Sequence, residues 1–361
     1  MSSYRIAMVP GDGVGPEISV EAERVLRAAA DRFGFGVETE WFDWGCDRYL
    51  ADGAMMPADA LDTLSRFDSI FLGCIGDANK VPDHISLGML LGIRVGFDQY
   101  VNLRPIRLYP GVPTPIQTAT PKSVDFVVVR ENTEGEYSRQ GGLFHPDSPD
   151  GFALQTGVFT RKGCTRVIRY AFELARRRKA AGYAGRVTNC TKSNALNYSM
   201  VYWDSIYAEV AAGYPDVQRD MAMVDAITMW FVKNPDYFDV VVASNLFGDI
   251  ITDLGSMLQG GMGFAAGGNI DPERRYPSMF EPIHGSAPKY TGQKRVNPIA
   301  SIEAMRMLLD HLGETGAAAA IGDAVAAVLV AGEVRTRDLG GTNTTDEVGR
   351  AVAAAITTGK A

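Results

Sequence analysis

Short β-branched runs alternate with helical patterns along the first part of the chain, and this alternation most constrains the fold. "YRIAMVP" leads into "EISVEAERVLRAAADRF" and then "VETEWFDW", while "DSIFLG" follows the helix-like "ADALDTLSRF". Strands separated by helices need crossover connections, so the pattern predicts βαβ units around a largely parallel sheet. Further apolar runs are "VDFVVVREN" (124–132), "RVTNCTK" (186–192), "MAMVDA" (221–226) and "FDVVVASNLFGD" (238–249). Alanine-rich helical patterns follow from Ile299 to about Leu312 and from Ala317 to Ala331. With 361 residues, no internal repeat and no long polar linker, the chain has room for two lobes joined by crossing strands.

Charge narrows the partners. Against 35 Lys and Arg stand 43 Asp and Glu, a net charge of −8 that opposes nucleic acid and anionic membrane. An anionic small substrate therefore requires a local concentration of cations. Cys46, Cys74, Cys164 and Cys190 are widely spaced, which fits neither a zinc pattern nor a disulfide framework. No charged-then-apolar leader is evident before Tyr4, and no apolar stretch approaches the roughly 20 residues that span a bilayer. A cytoplasmic protein is the expectation.

The segment "FDVVVASNLFGDIITDLGSML" carries the clearest chemistry. Its strand "VVVA" enters a turn over Ser244–Gly248, and a helix is predicted from about Asp249. Asp249 and Asp253 then project from one helical face, a spacing that suits a hard divalent cation such as Mg²⁺. Charge at a helix N-terminus is the alternative reading for Asp249. Asp225 is a third candidate ligand, although a lone aspartate in that place is more often an N-cap. Arg94, Arg104 and Arg130 could grip a dicarboxylate through their guanidinium forks, or serve as ordinary structural ion pairs. Tyr137 is a candidate proton donor and Lys192 a candidate base, each otherwise a surface or amphipathic residue.

Two glycine-containing stretches bear on a nucleotide. The loop "FEPIHGSAPKYTGQKRVNP" (280–298) presents backbone amides and places His284, Lys289 and Arg295 where a nucleotide and an extra phosphate could sit. An exposed basic loop is the other reading. The turn "PGDGVGPEI" spaces its glycines as GxGxG before a proline, with no acidic ribose partner evident about 20 residues later, so the dinucleotide fingerprint fails there. Pro16 suits a first helical turn.

Together "GDGVGPE", "NLRP", "VVVRENTEGEYS", "TKSNAL", "NLFGDIITDLG" and "EPIHGSAP…NP" resemble the metal-dependent β-decarboxylating dehydrogenases of isocitrate, isopropylmalate, homoisocitrate and tartrate or D-malate. The likeness runs from residue 4 to the "DLGGT" at 338–342. It implies an α/β, two-domain isopropylmalate/isocitrate dehydrogenase-like fold with a shared parallel or mixed sheet core, not a standard Rossmann fold. The large, discontinuous cofactor-binding domain would comprise 1–100 and 260–361. The small domain, 101–259, would carry substrate and metal residues and the dimer interface. Asp249 and Asp253 of one subunit and Asp225 of the other would hold Mg²⁺ or Mn²⁺. Arg94, Arg104 and Arg130 would bind carboxylates, Lys192 from the second subunit would be the base, and Tyr137 would protonate carbon after decarboxylation. The site would thus be shared across a homodimer.

The resemblance also bears on substrate and cofactor. Gly88 and Leu90 stand where isocitrate enzymes place Ser and Asn, and Leu87 where isopropylmalate enzymes place Glu. "KVPDHISL" and "FDQYVNLRP" are most similar to the tartrate/D-malate branch, so a C4 2-hydroxy diacid is expected, with Leu90 near the substrate. An alkylmalate or isocitrate-type substrate is the alternative. Cofactor-binding residues implied are Glu281, His284, Gly285, Ser286, Ala287, Lys289, Tyr290, Val296, Asn297 and Arg337. NAD-using members usually carry Asp directly after "GSAP"; Lys289 here favours NADP over NAD. Two other classes remain in view. A two-lobed diacid-binding protein could use the same arginines, and a metal-dependent lyase could use the same carboxylates without redox chemistry.

Overall fold

The computed structural model describes residues 2–359. In chain order the first elements are β1 (Ser3–Gly11), α1 (Gly15–Phe33), β2 (Gly36–Trp41), α2 (Cys46–Asp52), α3 (Ala60–Leu64), β3 (Ser69–Cys74) and α4 (Asp83–Gly96). The middle forms β4 (Val101–Arg107), β5 (Asp125–Glu131), β6 (Gly135–Phe144), β7 (Phe152–Val158), α5 (Arg161–Ala180) and β8 (Arg186–Thr191). It continues with α6 (Ser199–Ala212), β9 (Gln218–Met223), α7 (Val224–Lys233), β10 (Val240–Ala243) and α8 (Asn245–Leu258). Last come β11 (Ala266–Ile270), β12 (Ser278–Pro282), α9 (Ile299–Leu312), α10 (Thr315–Ala331) and α11 (Thr345–Thr358).

The chain divides into two compact units. The first takes the residues up to Gln99, Arg107–Pro121 and those from Ser256 onward; the second takes Tyr100–Ile106 and Lys122–Gly255. Segment 107–121, expected in the middle domain, clusters with the first unit because its polar groups find partners there. Tyr109 donates to Glu303 at 2.7 Å and Thr114 to the Leu258 carbonyl at 2.8 Å.

In the first unit the strand order is β2-β1-β3-β12-β11. All neighbours run parallel except β12 and β11, so this sheet is mixed. Helix α1 forms because its apolar residues recur on one face: Ile18, Ala22, Val25, Leu26, Ala29 and Ala30 are all buried. Pro16 lies in the first turn, and Gly34 ends the helix at φ 75°. Replacing Leu26 by Ala would cost about 2–5 kcal/mol through lost burial and the cavity left behind.

In the second unit the order is β4-β5-β10-β8-β9, with β5, β10, β8 and β9 parallel. Val240–Ala243 is wholly buried, as an apolar central strand should be. Thr160 caps α5 by accepting from the Gly163 amide at 3.0 Å. The antiparallel hairpin of β6 and β7 breaks the alternating pattern and was not anticipated from the sequence. The four cysteines are free and buried. Among the described residues, no helix is long and apolar enough to cross a membrane.

Candidate active site

One charged cluster assembles inside the second unit. Arg130 is the second-to-last residue of β5 and β4 carries Arg104, both almost fully buried. Arg130 Nη1 donates to Asp249 Oδ1 at 2.5 Å, and Arg104 Nη1 lies 3.3 Å from the same oxygen. Tyr137, at the start of β6, donates its hydroxyl to Asp249 Oδ2 at 2.6 Å. Burial first, and then that hydrogen bond, raise the Tyr137 pKa and hold the hydroxyl protonated.

The helix bearing Asp249 starts earlier than expected. α8 begins at Asn245, and the Gly248 amide already donates to the Ser244 carbonyl at 2.8 Å. Asp249 therefore sits in the second turn, where the dipole reading loses force because the effect fades within the first turn. Gly248 is required by close approach: a Cβ there would meet Arg130 Cγ at 2.6 Å. Asp253, one turn further, has its pKa raised chiefly by burial and also by Asp249. Among the described residues its side chain, on an exposed residue, makes no hydrogen bond or ion pair.

Lys192 and Asp225 form a separate pair. Lys192 follows β8, and its Nζ donates to Asp225 Oδ1, whose pKa that contact lowers. Asp225 is not the N-cap: Met223 holds that position, and Asp225 falls in the first turn of α7. Among the described residues of one chain, no three His, Cys, Asp or Glu side chains group to hold a metal ion. Asp249 and Asp253 nevertheless suit a divalent cation, because two adjacent carboxylates share a helical face and one lacks any protein donor.

The first unit holds the remaining candidates. Arg94, in the last turn of α4, is buried and donates Nη2 to Glu281 Oε1 at 2.7 Å. Asn269 donates to the same oxygen at 2.7 Å, so Glu281 is engaged with a substrate-candidate arginine and is not among the residues that line the cavity described below. Leu90 is half-buried and packs against the hydrophobic core, whereas Leu87, a near-complete two turns before Arg94, is exposed on the arginine's face.

A cavity of about 500 Å³ lies within this unit. Of the expected cofactor residues, His284, Ala287, Tyr290, Val296, Asn297 and Arg337 line it. Lys289 is exposed beside it, with Nζ 4.8 Å from the Tyr290 ring centre; Arg295 lines the cavity at 5.3 Å from that ring. Gly285 is exposed, and Ser286 is buried with its hydroxyl donating to the Gly76 carbonyl. Desolvation lowers the His284 pKa, favouring the neutral ring; the Nδ1-protonated tautomer donates to the Gly285 carbonyl 2.8 Å away.

Several residues of these sites carry no formal charge and escaped the sequence reading. Asn245 Oδ1 accepts from Arg130 Nε at 3.0 Å and Nη2 at 2.7 Å, while its amide donates to the Glu134 carbonyl at 2.8 Å. Asn102 and Thr252 each hold Arg104 at 2.6 Å. The available signal was their place in the quoted strand and turn motifs. In the cavity the missed residues are Val14, Met262, Gly263 and Asp338. Asp338 accepts from Asn297 at 3.0 Å and Thr336 at 2.5 Å, and Asn297 in turn accepts from the Ile299 amide at 3.0 Å.

Comparison with known proteins shows the family of the chain. The isocitrate/isopropylmalate dehydrogenase family pattern matches residues 5–352. A probable tartrate dehydrogenase/decarboxylase of Agrobacterium vitis is 49% identical over 358 residues, covering 99% of this chain and 98% of that protein. The D-malate dehydrogenase (decarboxylating) of Escherichia coli K12 is 47% identical over 363 residues, covering 98% of each chain. The crystal structure of isocitrate dehydrogenase from Methylococcus capsulatus superposes with a TM-score of 0.88 at 34% identity, covering 98% of this chain and 99% of that one. The chain belongs to the isocitrate/isopropylmalate dehydrogenase family.

Proposed function

We propose that this protein catalyses metal-dependent oxidative decarboxylation of a C4 2-hydroxy diacid of the D-malate or tartrate kind, passing hydride to NAD(P)⁺. The observation that carries this reading is the Asp249 cluster. Arg104 and Arg130 bring two positive charges, and Asp249 and Asp253 two negative ones. A divalent cation held by Asp249 and Asp253 would leave two positive charges uncompensated, which matches a dianion. The names of relatives that act on tartrate and D-malate support the substrate class.

When bound to Asp249 and Asp253, Mg²⁺ or Mn²⁺ would supply a fixed positive charge that stabilises developing negative charge, and NAD(P)⁺ would supply the hydride acceptor. Arg104 and Arg130 hold carboxylates in a fixed geometry. Arg94, locked by Glu281, is proposed as a third carboxylate ligand. Lys192 accepts the C2 hydroxyl proton as hydride leaves, giving a 2-keto acid. The bond from C3 to its carboxylate then breaks with release of CO₂, and Tyr137 delivers a proton to C3. Its raised pKa suits a donor that must stay protonated.

Asp225 does not join Asp249 and Asp253 within one chain. The Lys192–Asp225 pair is therefore proposed to serve the site of a second copy in a homodimer. Tyr198, Met229, Trp230 and the hairpin residues Leu143, Phe144 and Phe152 are exposed on the second unit and offer apolar surface for that contact. NADP is proposed over NAD: Arg295 and Arg337 line the cavity, with Lys289 beside Tyr290, while the Asp338 carboxylate is occupied by Asn297 and Thr336.

The test is reduced-nicotinamide formation with D-malate, tartrate, isopropylmalate and isocitrate, using each cofactor with and without Mn²⁺. Metal-dependent turnover of a C4 diacid is expected. Tight diacid binding without turnover under any cofactor would overturn the enzyme reading, and CO₂ release without any cofactor would make the protein a lyase. A preference of about tenfold or more for NAD in kcat/KM would overturn the cofactor assignment alone.

A further inference from the structure

The glycine turn at 10–15 contributes Val14 to the cavity, yet its aspartate is used in another way. Asp12 is 8% exposed and accepts two backbone amides from separate segments: Cys46 N, at the start of α2, at 2.7 Å and Gly76 N, in the loop after β3, at 2.8 Å. Its own amide donates to the Cys74 carbonyl at 2.7 Å. The Cys46 thiol is pushed up to about 11, first by burial and then by its hydrogen bond to Asp12. A carboxylate so fully engaged has little capacity left for a ligand.

The same turn grips the cofactor loop. Gly13 adopts φ +60°, and a Cβ there would lie 2.0 Å from the Ser286 carbonyl oxygen. Without that side chain, the Val14 amide donates to Ser286 O at 2.9 Å. The Ser286 hydroxyl donates to the Gly76 carbonyl, closing a circuit through Asp12, Gly76, Ser286 and Val14. Further along, Glu17 Oε2 accepts the Lys294 amide at 2.9 Å, so α1 holds the loop a second time near its far end.

We propose that Asp12 is a positioning residue that holds the 284–297 loop in its cofactor-binding shape. The glycine turn acts as a template for the loop that meets the nucleotide. The proposal rests on the NAD(P) reading for its ligand, but the loop's shape can be tested without it. Losing one of two buried charge-assisted hydrogen bonds loosens what they hold. Asp12→Asn keeps the size and one acceptor but turns an NH₂ toward a backbone amide.

Hydrogen exchange on the full-length wild type and on Asp12→Asn, with equilibrium binding of NADPH and NADH, tests this. Amides of 284–296 should exchange about tenfold faster in the variant, with β5 and α9 unchanged. The Kd of the preferred dinucleotide should rise about tenfold, and kcat at saturation should change less than about threefold. Glu17→Gln should loosen only the 293–296 end. Unchanged exchange and Kd would overturn the proposal, as would a loss of protection spread through both units, which marks a general stability role. If the wild type binds neither dinucleotide, the NAD(P) reading fails while the exchange comparison still decides the role of Asp12.

Discussion

Arg104 and Arg130 in the second unit are 5% and 2% exposed, and neutral neighbours fix each guanidinium. Lys289 and Arg295, by contrast, sit at the accessible side of the first unit's cavity, stacked near a single tyrosine. Buried guanidiniums cannot move without abandoning their partners, so they impose geometry. Accessible cations are screened and adjustable, so they tune preference. Changes in the first cluster should therefore abolish turnover, whereas changes at the cavity rim should redistribute it between cofactors.

The strongest challenge to that contrast is Asp249→Asn. It removes a proposed metal ligand and the anion that Arg104, Arg130 and Tyr137 share. It should lower kcat/KM by about a thousandfold and weaken Mn²⁺ binding measured directly by titration. Tyr137→Phe comes next, with kcat expected to fall about a hundredfold and diacid KM to change little. Because burial and Asp249 raise the Tyr137 pKa above 10.0, activity depending on its protonated form should persist up to and beyond that pH. An alkaline limb near the ordinary tyrosine value would break the assignment.

At the rim, Lys289→Asp should shift the NADP-to-NAD ratio of kcat/KM about tenfold toward NAD while leaving total turnover in place. The smallest effect concerns acidity. Burial raises the Asp253 pKa above 3.8, so its proton-bound form persists to higher pH than an ordinary aspartate's. Metal affinity should fall as pH drops through that raised value, and Asp253→Asn should flatten this part of the profile as well as weaken binding. A wild-type profile identical to the variant's would remove Asp253 from the metal site.

The two regions also differed in how legible they were. Arg104, Arg130, Tyr137 and Asp249 stood out because each is charged or ionisable within a quoted motif, Arg130 after an apolar run, and they meet within one unit. Their supports, Asn245, Asn102 and Thr252, are neutral residues whose importance comes only from what they touch. The turn-like "SNLFG" conceals the helix start, because the Gly248 amide already closes a helical turn on Ser244. Glu281, expected at the cofactor, also pairs with Arg94, which lies 187 residues away in sequence. Sequence order gives no sign of such a pair. The cavity was legible as a loop, but its fit depends on backbone contacts with the glycine turn, of which the sequence shows only the glycine at 13 and not the partner at Ser286.

The central claim is that the Asp249 cluster runs a metal-dependent oxidative decarboxylation. The most direct measurement is simultaneous quantitation of CO₂ and reduced nicotinamide after adding Mn²⁺ to metal-stripped protein with D-malate and NADP⁺. The account predicts no turnover before the addition, and then equal amounts of both products. Undiminished turnover in the stripped protein, or reduced cofactor without CO₂, would contradict it.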